Sequence, residues 1–282
     1  MLRRTISAAV AAVIAIVVLI LDITPLYIII VSLLSVAAVY ELLVATKYIK
    51  QKKSSIIGLV FVSVVPVIFV NETLRDNLPT ISCAFLFLLF AVMIFTHEKV
   101  SFEAIALIAF VSICVPLSLS CLLFMVLLEP HGMFLLIFSL TAIFMGDAGA
   151  YFTGTFIGKH KMAPSISPKK TWEGFFGGLF FSGLTGLCAP FVYEFVYLNF
   201  IGDAVIETNK FFFIIMAILC SALGVMGDLS ASLVKRQCAV KDFGNIMPGH
   251  GGVLDRFDSV LFAIPFMYQV LHFYVPVTSI IH

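Results

Sequence analysis

The sequence predicts an all-α, polytopic integral membrane protein of about nine transmembrane helices with cytoplasmic catalytic loops. Three observations carry that reading. Of 282 residues, 61% are hydrophobic and 12% charged, with 29 phenylalanines, and a water-soluble domain needs a polar exterior that this composition does not supply. The apolar residues fall in separate runs close to the length of a bilayer crossing, about 20 residues. Lysine and arginine gather between alternate runs, as the positive-inside bias requires.

The runs, in order, are Ile6–Leu21, Leu26–Leu43, Ile56–Val70, Thr80–Phe95, Ile105–Leu128, Met133–Ile157, Phe175–Val196, Phe211–Met226 and Ser259–Val277. Arg3 and Arg4 give the first the look of a signal peptide. No small-residue cleavage site follows, and Asp22-Ile23-Thr24-Pro25 reads as a turn, so it is kept as a span. The third and eighth are short for a crossing. Polar turns such as NETLRDNLP, residues 71–79, join the early runs. With the N-terminus inside, fifteen of the seventeen basic residues face the cytoplasm, and only Arg75 and Lys210 lie outside. Eight spans would break this pattern. The expected location is the cell membrane, multi-pass, with N-terminus and active site cytoplasmic.

Residues 1–128 read as a transmembrane scaffold of about five helices, and 129–282 as a catalytic region of about four. Neither internal repeat nor low-complexity tract is visible. The six cysteines stand singly in apolar or helical contexts, without C-x-x-C, and read as packing residues rather than disulfide partners or zinc ligands. Glu41, an acid inside the second run, reads as snorkelling or pairing near Lys47; the alternative is support for a basic residue of the site. Gly174, Gly178, Ser182 and Gly186, four apart, read as a close-packing helix face.

Two segments carry unusual chemistry. In GDAGAYFTGTFIGKHKMAPSISPKKTWEG, residues 146–174, Asp147 lies within an apolar run, where a carboxylate costs roughly 2.5–3.5 kcal/mol. A neighbouring lysine could hold it, but three glycines around it favour a functional role. Lys159, Ser167, Lys169 and Lys170, stiffened by Pro164 and Pro168, form a cationic, hydroxyl-bearing loop suited to phosphate oxygens. A Walker A loop is excluded, since Gly154 to Lys159 is one residue short and lacks the Ser or Thr for magnesium.

The second segment, GDLSASLVKRQCAVKDFGNIMPGHGGVLDRFDS, runs over residues 227–259. Asp228 stands where the eighth run ends, with Ser232 one helical turn on and Lys235 and Arg236 one turn further. Asp255 and Asp258 share a helix face at the start of the last run. Capping explains carboxylates at a helix start, but not Asp228. Acids beside cations suggest magnesium, which takes one or two carboxylates and leaves its other positions to water and phosphate. Gly249, Gly251 and Gly252 let backbone N–H groups approach phosphate. His250 is read as a hydrogen-bond donor, since no zinc-ligand spacing surrounds it. Phosphoryl or nucleotidyl transfer fits this combination.

Ser232-x-x-Lys235-Arg236-x4-Lys241-Asp242-x5-Pro248-Gly249-His250-Gly251-Gly252-x2-Asp255-Arg256-x-Asp258 closely resembles the signature of the phosphatidate cytidylyltransferase (CDP-diacylglycerol synthase) family. The upstream segment is similar to that family's other cytoplasmic stretch, although Ala148 stands where a small polar residue is more usual. The resemblance implies magnesium-dependent conversion of CTP and phosphatidic acid to CDP-diacylglycerol and pyrophosphate in phospholipid biosynthesis, within the lipid bilayer. No nucleic-acid partner is expected, and a homodimer is an expectation from the family. On this reading Asp228 and Asp255 hold the metal, with Asp258 and Asp147 as further ligands or their supports. Lys235, Arg236, Lys241 and Arg256 neutralise lipid phosphate and pyrophosphate, and the Lys159–Lys170 loop and Pro248–Gly252 turn cradle the nucleotide. Asp242 belongs to the catalytic set or pairs with Lys241. The rivals are a CTP-dependent lipid kinase and an anion transporter. A CDP-alcohol phosphotransferase would need a D-G-x-x-A-R motif, which is missing.

Overall fold

A computed structural model describes residues 23–96, 100–128, 130–201, 205–246 and 251–280. The first expected span, Ile6–Leu21, lies outside them, as do Lys99, Pro248, Gly249 and His250.

Among the described residues nine α-helices follow in chain order: α1 Thr24–Ala45, α2 Lys52–Val70, α3 Glu72–Asp76, α4 Leu78–Phe95, α5 Phe102–Val126, α6 Gly132–Phe156, α7 Trp172–Val196, α8 Lys210–Gln237 and α9 Leu254–Phe273. Seven of the described helices, all except α3 and α9, are long and apolar enough to cross a membrane. The last is less apolar because Asp255, Arg256 and Asp258 occupy its opening turns and His272 its final one.

Local chemistry sets the helix ends. Prolines at the first turns of α1 and α4 are tolerated because a helix leaves those N–H groups unpaired. Asn71 and Thr171 cap α3 and α7, their side-chain oxygens accepting N–H of Leu74 and Gly174 at 3.1 Å each. The final expected span, Ser259–Val277, stops earlier, at Phe273. Pro276 cannot continue a helix, and Val277 enters a β-pair instead.

The described residues form a helical frame, in keeping with the all-α expectation, with two short β-pairs between the helices. β1 (Lys161–Ala163) pairs antiparallel with β2 (Ser167–Thr171), so the cationic interval read as a loop is a small hairpin. Proline has no N–H for a ladder, and Pro168 is accommodated because a two-stranded pair has only edge strands. β3 (Val205–Thr208) pairs antiparallel with β4 (Val277–Ile280).

Two compact units divide the chain. One comprises the chain through Leu123 together with Lys235–Phe257, the other Phe124–Val234 with Asp258–His282. The signature segment 235–257 therefore groups with the N-terminal helices rather than with 129–282. In the first unit, Phe61 of α2 stacks on Phe85 of α4 with centroids 4.0 Å apart. In the second, α6 and α7 meet through small residues, and Gly174, Gly178, Ser182 and Gly186 are all buried, as their spacing predicts. Ser182 Oγ lies 2.9 Å from Ala142 O and 2.6 Å from Ala217 O, joining α6, α7 and α8. Near the other end of α7, Phe134 stacks on Tyr193, whose hydroxyl meets His131 Nδ1 at 2.7 Å.

Candidate active site

In the second unit, α8 continues unbroken past Asp228, as expected, and carries that aspartate and Ser232 one turn apart. Gly227 lies directly against the backbone of Asp258 on α9, where no Cβ would fit. β2 delivers Lys170, whose Nζ pairs with Asp228 Oδ2 at 2.6 Å and donates to Val225 O at 3.3 Å. From α6, Asp147 Oδ2 accepts the hydroxyl of Ser259 at 3.2 Å. Asp228 and Lys170 both act on Asp147 electrostatically. Asp258 Oδ1 accepts the N–H of Ser259 at 2.8 Å. This unit thus gathers two carboxylates about one ammonium, with the backbone of α9 as one wall.

The hairpin that delivers Lys170 is fixed at its base. His160 Nδ1 lies 2.6 Å from Glu173 Oε1, the His160 N–H faces both Glu173 oxygens at 3.2 Å, and Trp172 N–H donates to His160 O at 2.9 Å. Lys159 and Lys169 stay exposed, and Ser167 is half-buried.

In the first unit, Lys235 in the last turn of α8 pairs with Asp255 Oδ1 at 2.8 Å, and Asp255 Oδ2 accepts N–H of Phe243 at 2.9 Å and of Gly252 at 3.0 Å. The Lys235 ammonium also lies 5.3 Å from the centre of the Phe243 ring, a cation–π contact that helps an ammonium leave water. Gly251 adopts φ +86°, a left-handed turn that glycine takes without strain, close to Asp255 and Asp242. Arg236, Lys241, Asp242 and Arg256 are exposed. The Lys241–Asp242 ion pair is not among those that the described residues form.

Glu41 departs from the first of its two readings. It is 2% exposed and neither snorkels nor meets Lys47. Its Oε2 accepts the N–H of Leu254 at 3.0 Å, and Gly244 and Gly252 press against the carboxylate. Ser259 and Phe243 were also not singled out. The signal for Glu41 was present, an acid alone in an apolar helix, but its partner is a backbone amide, which leaves no trace in sequence.

Hard oxygen donors, cations and close-approaching backbone are what an anionic substrate with a divalent ion requires. The profile of the cytidylyltransferase family matches residues 2–274. The chain belongs to the cytidylyltransferase family. Among its relatives, a protein of Haemophilus influenzae named phosphatidate cytidylyltransferase is 42% identical over 146 residues, 51% of this chain and 48% of that one. Proteins of the same name from Bacillus subtilis and Staphylococcus epidermidis are 40% and 41% identical over 144 and 140 residues, each match covering 49% of the relative. The chain therefore spans about half the length of the curated relatives it matches.

Proposed function

We propose that this chain transfers a cytidylyl group from CTP to phosphatidic acid, giving CDP-diacylglycerol and pyrophosphate. The observation that carries the reading is the pairing of each proposed metal-binding carboxylate with a lysine of the signature or the hairpin, Asp228 with Lys170 and Asp255 with Lys235. Such pairs place ammonium groups where phosphate would compete for them. The names of the relatives and the signature support the same substrates.

We assign magnesium to the carboxylates of Asp228 and Asp255, each on its own surroundings, with Asp147 and Asp258 as further ligands or supports. The donors are carboxylate oxygens. Carboxylate oxygens suit an ion that takes one or two protein ligands and completes its shell with water and substrate phosphate. When bound, magnesium would neutralise triphosphate oxygens and so favour attack at the α-phosphorus.

An ionised oxygen of phosphatidate attacks the α-phosphorus in line. The bond from that phosphorus to the bridging oxygen breaks, and pyrophosphate leaves with the electron pair. No general base is needed, because the attacking phosphate has already lost its proton at neutral pH. Lys170, Lys235 and the exposed Lys159, Lys169, Arg236, Lys241 and Arg256 neutralise lipid phosphate, triphosphate and leaving pyrophosphate. Ser167, Ser232 and the backbone of Gly249, His250, Gly251 and Gly252 are proposed to hold the nucleotide. The basic-residue pattern supports a cytoplasmic site in a cell-membrane protein of nine spans. A homodimer and a bilayer-facing groove for the lipid complete the reading.

Purified protein given CTP, magnesium and phosphatidate tests the proposal. Pyrophosphate and CDP-diacylglycerol are expected in equal amounts. Nucleotide left intact in the presence of lipid and magnesium would contradict it.

A further inference from the structure

Among the residues of α1, Glu41 is the only acid or base. A carboxylate in so apolar a helix is costly, and here it is buried as well. Its compensation comes from a partner 213 residues away in sequence: the N–H of Leu254 donates to Oε2 at 3.0 Å. The N–H of Val253 also faces the carboxylate. Leu254 is the first residue of α9, so its amide is one of the four that a helix leaves without an internal acceptor. Glu41 caps α9 from a different helix.

The same carboxylate shapes the loop between α8 and α9. The backbones of Gly244 and Gly252 lie so close to it that a Cβ on either would collide with its oxygens. Oε1 is buried without a hydrogen-bond partner among the described residues, so it contributes contact, not a bond. One residue beyond Leu254, Asp255 collects Lys235, Phe243 N–H and Gly252 N–H. The loop is thus wound about two acids, and Gly252 touches both.

We infer that Glu41 is a positioning residue for the cytidylyl transfer proposed above: from α1 it fixes the α8–α9 loop and the first turn of α9, and so the orientation of Asp255 and Lys235. The kinetic part rests on that proposed function, and the loop-fixing part does not.

The test uses the full chain in lipid nanodiscs, as wild type, Glu41→Gln, Glu41→Asp, Glu41→Ala and Gly252→Ala. Two readouts are taken: hydrogen exchange of peptides covering 238–254 and of α6–α7, and kcat and KM for CTP. Glutamine keeps the length and an acceptor for Leu254 N–H, and is expected to hold exchange and kcat near wild type. Aspartate is one methylene short. It, alanine and the Gly252 variant are expected to speed exchange in 238–254 and lower kcat by at least about tenfold, the scale of one charged hydrogen bond. KM is expected to move less, and α6–α7 to exchange as in wild type. Unaltered loop exchange in Glu41→Asp and Glu41→Ala overturns the inference, as does acceleration spread evenly over all helices. If wild type makes no CDP-diacylglycerol, the proposed function fails by itself, and the exchange pattern still decides whether Glu41 fixes the loop.

Discussion

Lys170 Nζ lies 2.6 Å from Asp228 Oδ2, and both side chains are partly open to solvent. A half-open ion pair is weak enough to exchange partners, so phosphate can take the ammonium while a metal takes the carboxylate. Asp228→Asn is expected to lower turnover by at least about a hundredfold, the scale seen when one preorganised charge is removed from a site. Thin-layer analysis of lipid products checks this, with membrane yield as the control for folding.

Asp255 differs, since both oxygens already have partners and its side chain is nearly buried. Asp255→Asn is expected to abolish turnover and also to leave Lys235 as an uncompensated charge, which is destabilising. Adding Lys235→Met is expected to restore part of the thermal stability and none of the activity. Unfolding midpoints of the single and double variants, read beside activity, separate the two effects.

Thr171 is buried and caps α7 through Gly174 N–H at 3.1 Å. Thr171→Val keeps the shape and removes the acceptor. Its expected cost is about 1 kcal/mol of stability, with Thr171→Ser losing less. Thermal unfolding measures both. Because Lys170 precedes this cap, the valine variant is also expected to raise KM for CTP.

His131 precedes α6, and burial pulls its imidazole below the ordinary histidine value of 6.5. The folded protein therefore resists protonating it while the unfolded chain accepts the proton. Its contribution to stability is present above about pH 6.5 and is lost as pH falls toward the lowered folded value. Unfolding midpoints of wild type are expected to drop between pH 7.5 and 5 more than those of His131→Gln.

Much of the helical frame was legible because apolar runs of bilayer length leave few alternatives. The continuation of α8 through Asp228 to Gln237 and the placement of Asp255 and Asp258 at the start of α9 were readable from spacing alone. The β1–β2 hairpin was not: two short strands containing Pro168 carry no alternation to detect. The role of Glu41 was hidden for another reason, since its partners are an amide and two glycine backbones far away in sequence. Gly252 was read as leaving room for phosphate, and the structure gives it a second reason to be glycine, the carboxylate of Glu41.

Chelation is expected to stop turnover without unfolding the chain, because the carboxylates keep their lysine partners. Magnesium in excess over the chelator is expected to restore it, and zinc is not, as the donor set lacks thiolate and imidazole. Circular dichroism alongside the activity assay checks both parts.

The most direct measurement supplies CTP labelled either on its α-phosphate or on its γ-phosphate, with magnesium and phosphatidate, and follows the label into lipid. The account predicts α-label in the lipid product and γ-label only in released pyrophosphate. Lipid carrying the γ-label would mean phosphoryl transfer by a CTP-dependent kinase and would contradict it.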